Sequence, residues 1–105
     1  MRYILFVSAF AELDLLDATT WYEEQREGLS YEFELGADAT FSQIQRNPLG
    51  FQIRYDDVRI AFINRFPYGI HYIVEGENIM IVGVYHTSRD PAKWSIRREG
   101  FTDDE

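Results

Sequence analysis

The sequence predicts a small α+β domain. An N-terminal strand leads into an antiparallel helical hairpin packed on a mainly antiparallel β-sheet, in the order β-αα-βββ, with a short C-terminal helical cap. Three observations predict it. Two stretches, 9–26 and 29–46, carry apolar residues at helical spacing and meet at a glycine. Three later stretches, 58–66, 68–75 and 79–85, read as strands separated by turn residues. The chain has 105 residues and no cysteine, so one modest apolar core must do the work without disulfides.

The run Met1-Arg2-Tyr3-Ile4-Leu5-Phe6-Val7 is too short for a signal-peptide core and is followed by acidic sequence, so it reads as the first strand. Ser8 is placed to cap a helix from Ala9 to Arg26, with Glu12 favouring its N-terminus. Ala11, Leu15, Ala18 and Tyr22 form its apolar stripe. Glu27-Gly28 breaks that helix, and a second runs from Leu29 to Arg46 with a stripe of Phe33, Ala37, Phe41 (or Thr40) and Ile44. Asn47-Pro48 stops it, because proline cannot continue a helix.

From Val58 to Phe66, alternation sets Val58, Ile60 and Phe62 against Arg59, Ala61, Ile63 and Arg65. From Tyr68 to Glu75, Ile70, Tyr72 and Val74 oppose His71 and Ile73. Gly76-Glu77 or Glu77-Asn78 makes the turn, and Ile79–Tyr85, the most apolar strand, is expected at the centre of the sheet. Asp90-Pro91-Ala92-Lys93-Trp94 reads as a short helical cap, Asp at the N-cap and Pro at N1. A single domain is thus expected over residues 1–98, with an acidic, flexible tail at 99–105.

The net charge of −8 is unevenly placed. Residues 11–40 hold nine acids against one base, Arg26, whereas residues 41–98 hold eight bases against five acids. Phosphate contacts need Lys and Arg, so the acidic half is a poor surface for nucleic acid. No stretch approaches the ~18 apolar residues of a membrane helix, so a chain free of the membrane, in the cytoplasm, is expected.

Candidate chemistry gathers in the basic half. Without a bulge, Arg59 and Arg65 point the same way, Arg89 leaves the neighbouring hairpin near the same end, and His71 and His86 join them. Arginine forks suit phosphate and carboxylate alike, so this set reads as a recognition patch. The alternative is a set of solvated arginines pairing with Asp56, Asp57 and Glu75. His86 sits where a strand opens into a loop, a usual place for sites, and either acts as acid or base or caps the turn. No metal is expected, because two distant histidines without cysteine give no ligand spacing. No cofactor is expected either, since no phosphate-cradling glycine loop is present. Trp21, Tyr22, Phe33, Phe41, Phe62, Phe66 and Tyr72 read as core.

Several runs together resemble the ParE/RelE toxin superfamily: Trp21-Tyr22-Glu23-Glu24-Gln25-Arg26 with Gly28-Leu29, Asn47-Pro48, Arg65-Phe66-Pro67-Tyr68, Tyr72-Ile73-Val74-Glu75-Gly76, and His86-Thr87-Ser88-Arg89-Asp90-Pro91-Ala92-Lys93-Trp94. The resemblance spans about residues 1–95 and leans to the ParE-like, plasmid-stabilisation branch. It implies the toxin of a bacterial type II toxin–antitoxin system, neutralised by a cognate antitoxin as a hetero-oligomer, or present as a homodimer. DNA would be contacted through the antitoxin. ParE-like members poison DNA gyrase by binding it, whereas RelE-like members cleave messenger RNA on the ribosome. Target recognition then falls to Arg59, Arg65, His71, His86, Arg89 and Trp94. In a nuclease, Arg59, Arg65, His86 and Arg89 would be the catalytic candidates. Ribosome-dependent nucleases of the family line the sheet with Lys, Arg and a late Tyr where this chain holds Ala61, Gly69 and Trp94. A third possibility is an inactive relative that retains only partner binding.

Overall fold

The computed structural model describes residues 2–100. Strand β1 (Ile4–Val7) ends at Ser8, whose Oγ accepts the Ala11 N–H at 3.1 Å and starts helix α1 (Ala9–Gln25). Gly28 turns the chain with φ +89°, a left-handed conformation in which any Cβ is strained. The Glu23 carboxylate clasps this turn, accepting from the Gly28 and Ser30 N–H groups and from Ser30 Oγ at 2.7 Å. Those bonds, led by the Ser30 hydroxyl, hold its carboxyl below the usual range. Helix α2 (Leu29–Arg46) follows and stops at Asn47, beyond which Pro48–Gly50 make a single 3₁₀ turn.

The rest of the chain forms β2 (Ile53–Tyr55), β3 (Val58–Phe62), β4 (Tyr68–Glu75), β5 (Asn78–His86) and α3 (Ala92–Glu99). The sheet order is β1-β5-β4-β3-β2, with β1 parallel to β5 and every other pair antiparallel. The expected α+β arrangement is therefore present, with one strand more than the β-αα-βββ order holds. Strand β2 was not expected; it pairs with β3 through a two-residue Asp56-Asp57 turn in which Asp56 takes φ +50°. The other two-residue turn is Gly76-Glu77, with Gly76 at φ +59°. The most apolar strand, β5, is interior, but the middle place belongs to β4.

The hairpin of α1 and α2 covers one face of the sheet. Its stripes bury Ala11, Ala18, Tyr22, Phe33, Ala37 and Ile44 against Ala61, Ile70, Tyr72, Ile79, Ile81 and Val84. Thr40, not Phe41, is the fully buried member of the second stripe, its hydroxyl returned to the Gly36 carbonyl at 2.9 Å. A bulge makes the strand fit: Val82 is an extra residue between the pairs Tyr72–Ile81 and His71–Gly83. It puts Ile81 and Val84 on the hairpin side and Val82 on the other, where Val58 and Ile73 meet it. Two rings expected in the core are not there: Trp21 and Phe62 are 54% and 52% exposed.

Helix α3 crosses the opposite face. Asp90 Oδ1 accepts the Ala92 N–H at 3.0 Å, but the helix begins one residue later than expected, with Pro91 rather than Asp90 at its N-cap, and runs on to Glu99. Of the expected tail, Glu99 thus closes α3, and residues 101–105 lie outside the described residues.

Candidate functional site

The six candidate recognition residues occupy four separate places. Arg59 belongs to the hairpin side, where Nη1 donates to the Phe51 and Leu49 carbonyls at 2.6 and 3.3 Å and ties down the segment after α2. Arg65 lies beyond the end of β3, at φ +73°, with its guanidinium 3.7 Å from Glu32 in the first turn of α2. Arg59 and Arg65 therefore sit near opposite ends of an 18-residue helix, ~27 Å long. The shared basic strand face expected of them does not form, because the alternation stops at Phe62 and the chain turns.

His71 and Trp94 come together, but inside the protein. His71 is 1% exposed and lies in a box of rings with Tyr55, Tyr85 and Trp94 beneath α3. Its Nδ1 is 2.9 Å from the Tyr55 hydroxyl. Burial, helped by the nearby Arg97 cation, pushes the imidazole pKa down to about 3, so it is neutral. The box is clamped from α3 by two arginines. Arg97 Nη1 donates to Asp14 Oδ2 at 2.7 Å, and Arg98 Nε donates to Asp57 Oδ1 at 2.7 Å. Arg97 also lies over the Tyr85 and Phe10 rings, 4.8 and 5.2 Å from their centroids. Gly83 makes room for this: a Cβ there would stand 2.6 Å from Tyr85 Cζ and 2.8 Å from Arg97 Nη1.

Only His86 and Arg89 share an open cleft. It lies where β5 ends against α1, holds about 230 Å³, and is walled by Trp21 and Tyr68 with Asp14 and Asp17 along one side. The turn is fixed by the Arg89 N–H donating to the His86 carbonyl at 3.0 Å and the Thr87 N–H to the Pro67 carbonyl at 2.8 Å. Arg89 stacks over Tyr85, 5.0 Å from its centroid. The Ser88 N–H donates to His86 Nδ1 at 3.0 Å, which leaves the neutral ring's proton on Nε2. His86 thus offers a donor to a partner, and the lone pair a general base needs is already taken.

Sequence reasoning missed Asp14, which it counted as one more surface acid. Its Oδ2 accepts both Arg97 and the Val84 N–H at 2.9 Å, the latter on the edge of β5 that β1 leaves uncovered after Val7. Its place on the flank of the α1 stripe was the available signal. Of the positions where nucleases of the resembled family keep polar side chains, Ala61 is buried under the hairpin. Gly69 lies under the Ile60 side chain, and Trp94 is in the ring box. Among the described residues no cluster of three or more His, Cys, Asp or Glu is placed to hold a metal ion, and no helix is long and apolar enough to cross a membrane.

No protein-family model matches the chain, and no curated protein does. A solved structure does: a chain of the chromosomal ParDE TA system from P. aeruginosa superposes with a TM-score of 0.73 at 17% identity, over 81% of this chain and 96% of that one. At that identity the likeness is one of architecture alone: this protein shares its fold with that chain of the ParDE system.

Proposed function

We propose that this protein is the toxin component of a bacterial type II toxin–antitoxin system, ParE-like, held inactive in the cytoplasm by a cognate antitoxin. It acts by binding and inhibiting its target, DNA gyrase, with no bond-making chemistry of its own. The observation that carries the reading is the fold shared with a chain of the ParDE system over almost the whole of that chain. His86 supports the non-catalytic version, since Ser88 occupies its Nδ1. Target recognition is assigned to His86 and Arg89, which reach an open cleft, with Arg65 as an outlying exposed cation. Arg59, His71 and Trp94 support the fold around them.

Induced expression in bacteria without the neighbouring gene tests this. Growth arrest is expected, together with inhibited gyrase supercoiling by the purified protein, and Arg89→Ala weakens both. Normal growth at good expression rejects toxicity and leaves a partner-binding relative. Because His86 and Arg89 do share one cleft, a RelE-like endoribonuclease is the second reading. Cleavage of messenger RNA in a translating extract, lost in Arg89→Ala, would replace gyrase inhibition with that activity.

A further inference from the structure

Most basic side chains of this protein already hold something. Four arginines pair with carboxylates, Arg59 donates to two carbonyls, and Arg54 and Arg89 lie over rings. Of the ten bases in the chain, Arg2, Arg46 and Lys93 are left without an ion pair or ring contact among the described residues. Two of them, Arg2 and Arg46, line one cleft of about 510 Å³ between the start of β1 and the last turn of α2. Tyr3, Ser42 and Gln45 complete its lining. Ser42, Gln45 and Arg46 stand at i, i+3 and i+4 and so share one helix face. Gln45 Nε2 donates to the Tyr3 carbonyl at 2.9 Å and ties the two walls together. Clefts elsewhere on the surface carry Glu32, Glu34 with Asp38, or Asp14 with Asp17, whereas this one has no carboxylate among the described residues.

We propose that this cleft binds the phosphate group of a small molecule, either free phosphate or the phosphate of a nucleotide. Two guanidinium groups that no protein carboxylate neutralises face the same space, on a chain whose net charge is −8. Guanidinium forks match phosphate oxygens two at a time, and the Ser42 hydroxyl supplies a further donor. The C-terminus of α2 opposes an anion with about half a negative charge, which two full cations outweigh. The volume lies within the range of roughly 300–1,000 Å³ in which small ligands are held. Charge also limits the ligand's size. A polynucleotide leaving the cleft along the helical hairpin meets the nine acids of residues 11–40, with no Lys or Arg but Arg26 to take its phosphates. The site is separate from the His86–Arg89 cleft, with which it shares no lining residue.

The test uses the full chain, ¹⁵N-labelled, at near-neutral pH and constant ionic strength. It is titrated separately with inorganic phosphate, adenosine monophosphate, adenosine, and an oligodeoxyadenylate without terminal phosphates. Amide shifts at Tyr3, Ser42, Gln45 and Arg46 are expected with phosphate and with adenosine monophosphate, and none with adenosine. Equal affinity for the first two assigns the site to bare phosphate, and tighter binding of the nucleotide assigns it to a phosphate carried on a nucleoside. Arg2→Gln and Arg46→Gln should each weaken binding about threefold to fivefold, as loss of one exposed charge contact does. Both side chains are exposed, so the rest of the amide spectrum should stay unchanged. Lys93→Gln, which removes the third unpaired cation, should leave binding as it was. No shifts with either phosphate compound, shifts on another face, equal binding of adenosine, or tighter binding of the oligonucleotide than of the mononucleotide would each overturn the proposal.

Discussion

The sheet face beneath the hairpin is sealed by carbon. Phe33 is wholly buried and meets Tyr22, Phe66 and Tyr68 at ring-centroid distances of 5.1–5.3 Å among the Tyr22–Phe33, Tyr22–Phe66, Phe33–Phe66 and Phe33–Tyr68 pairs. The face beneath α3 is sealed by polar rings and charge. Helix α3 buries no residue completely and holds on through Trp94, Arg97 and Arg98. The Tyr85 hydroxyl and Trp94 Nε1 are buried there without a hydrogen-bond partner. Two faces of one sheet thus answer to different variables. Apolar burial has no charge to titrate or to screen, whereas a buried neutral imidazole can be protonated and two arginine clamps can be screened.

The largest effect that would break this contrast lies in the carbon face. Phe33→Ala should cost about 3–5 kcal/mol in chemical denaturation, at any pH between 5 and 8, since it leaves a cavity among three rings. Next comes the clamp. Asp14→Ala leaves Arg97 unpaired and the Val84 N–H without its acceptor, and should cost about 2–3 kcal/mol. Its mark is a Trp94 fluorescence change, read in a Trp21→Phe background, that a carbon-face variant of equal cost does not give below its unfolding midpoint. The smallest effect is the titration of His71. Its folded pKa lies below the unfolded value of 6.5, so the neutral ring's contribution is present above 6.5 and is lost as pH falls. Stability should drop by about 1.4 kcal/mol by about pH 5.5 from this group and keep falling towards its folded value. His71→Phe should flatten that part of the pH profile; an unchanged slope would show that the sensitivity comes from the carboxylates instead.

The hairpin was legible in the sequence almost residue for residue. Ser8, Gly28 and Asn47-Pro48 are local signals, and a cap or a helix stop acts within a few residues of itself. Period-2 alternation also sorted β4 correctly, with Ile70, Tyr72 and Val74 facing the helices. It failed past Phe62, because Arg65 adopts a left-handed backbone that no side-chain pattern announces. Strand β2 is three residues long and carries no alternation of its own. The Asp56-Asp57 pair, apt for a tight turn with positive φ, was its one readable trace.

The candidate site was legible only in part. His86 and Arg89 follow a strand end directly, so their openness is a local property. What a pattern of residues does not contain is which side of the sheet a later helix will cover. His71 looked like an exposed recognition residue until α3 folded across it and set Trp94 against its ring, and Arg59 looked like a phosphate ligand until two carbonyls of the segment after α2 claimed it.

Sequence by itself determined the helices, their caps, the inward stripes and the acidic cast of the hairpin, because each depends on neighbours within a turn or two. Tertiary structure alone decided that Asp14 would close the open edge of β5 and hold Arg97, 83 residues away, and that six candidate side chains would be divided among four places. Those outcomes depend on the sheet order, on the one-residue bulge at Val82 and on the path of α3. Long-range pairings of that kind are set by how whole surfaces fill space, and no single stretch of chain encodes them.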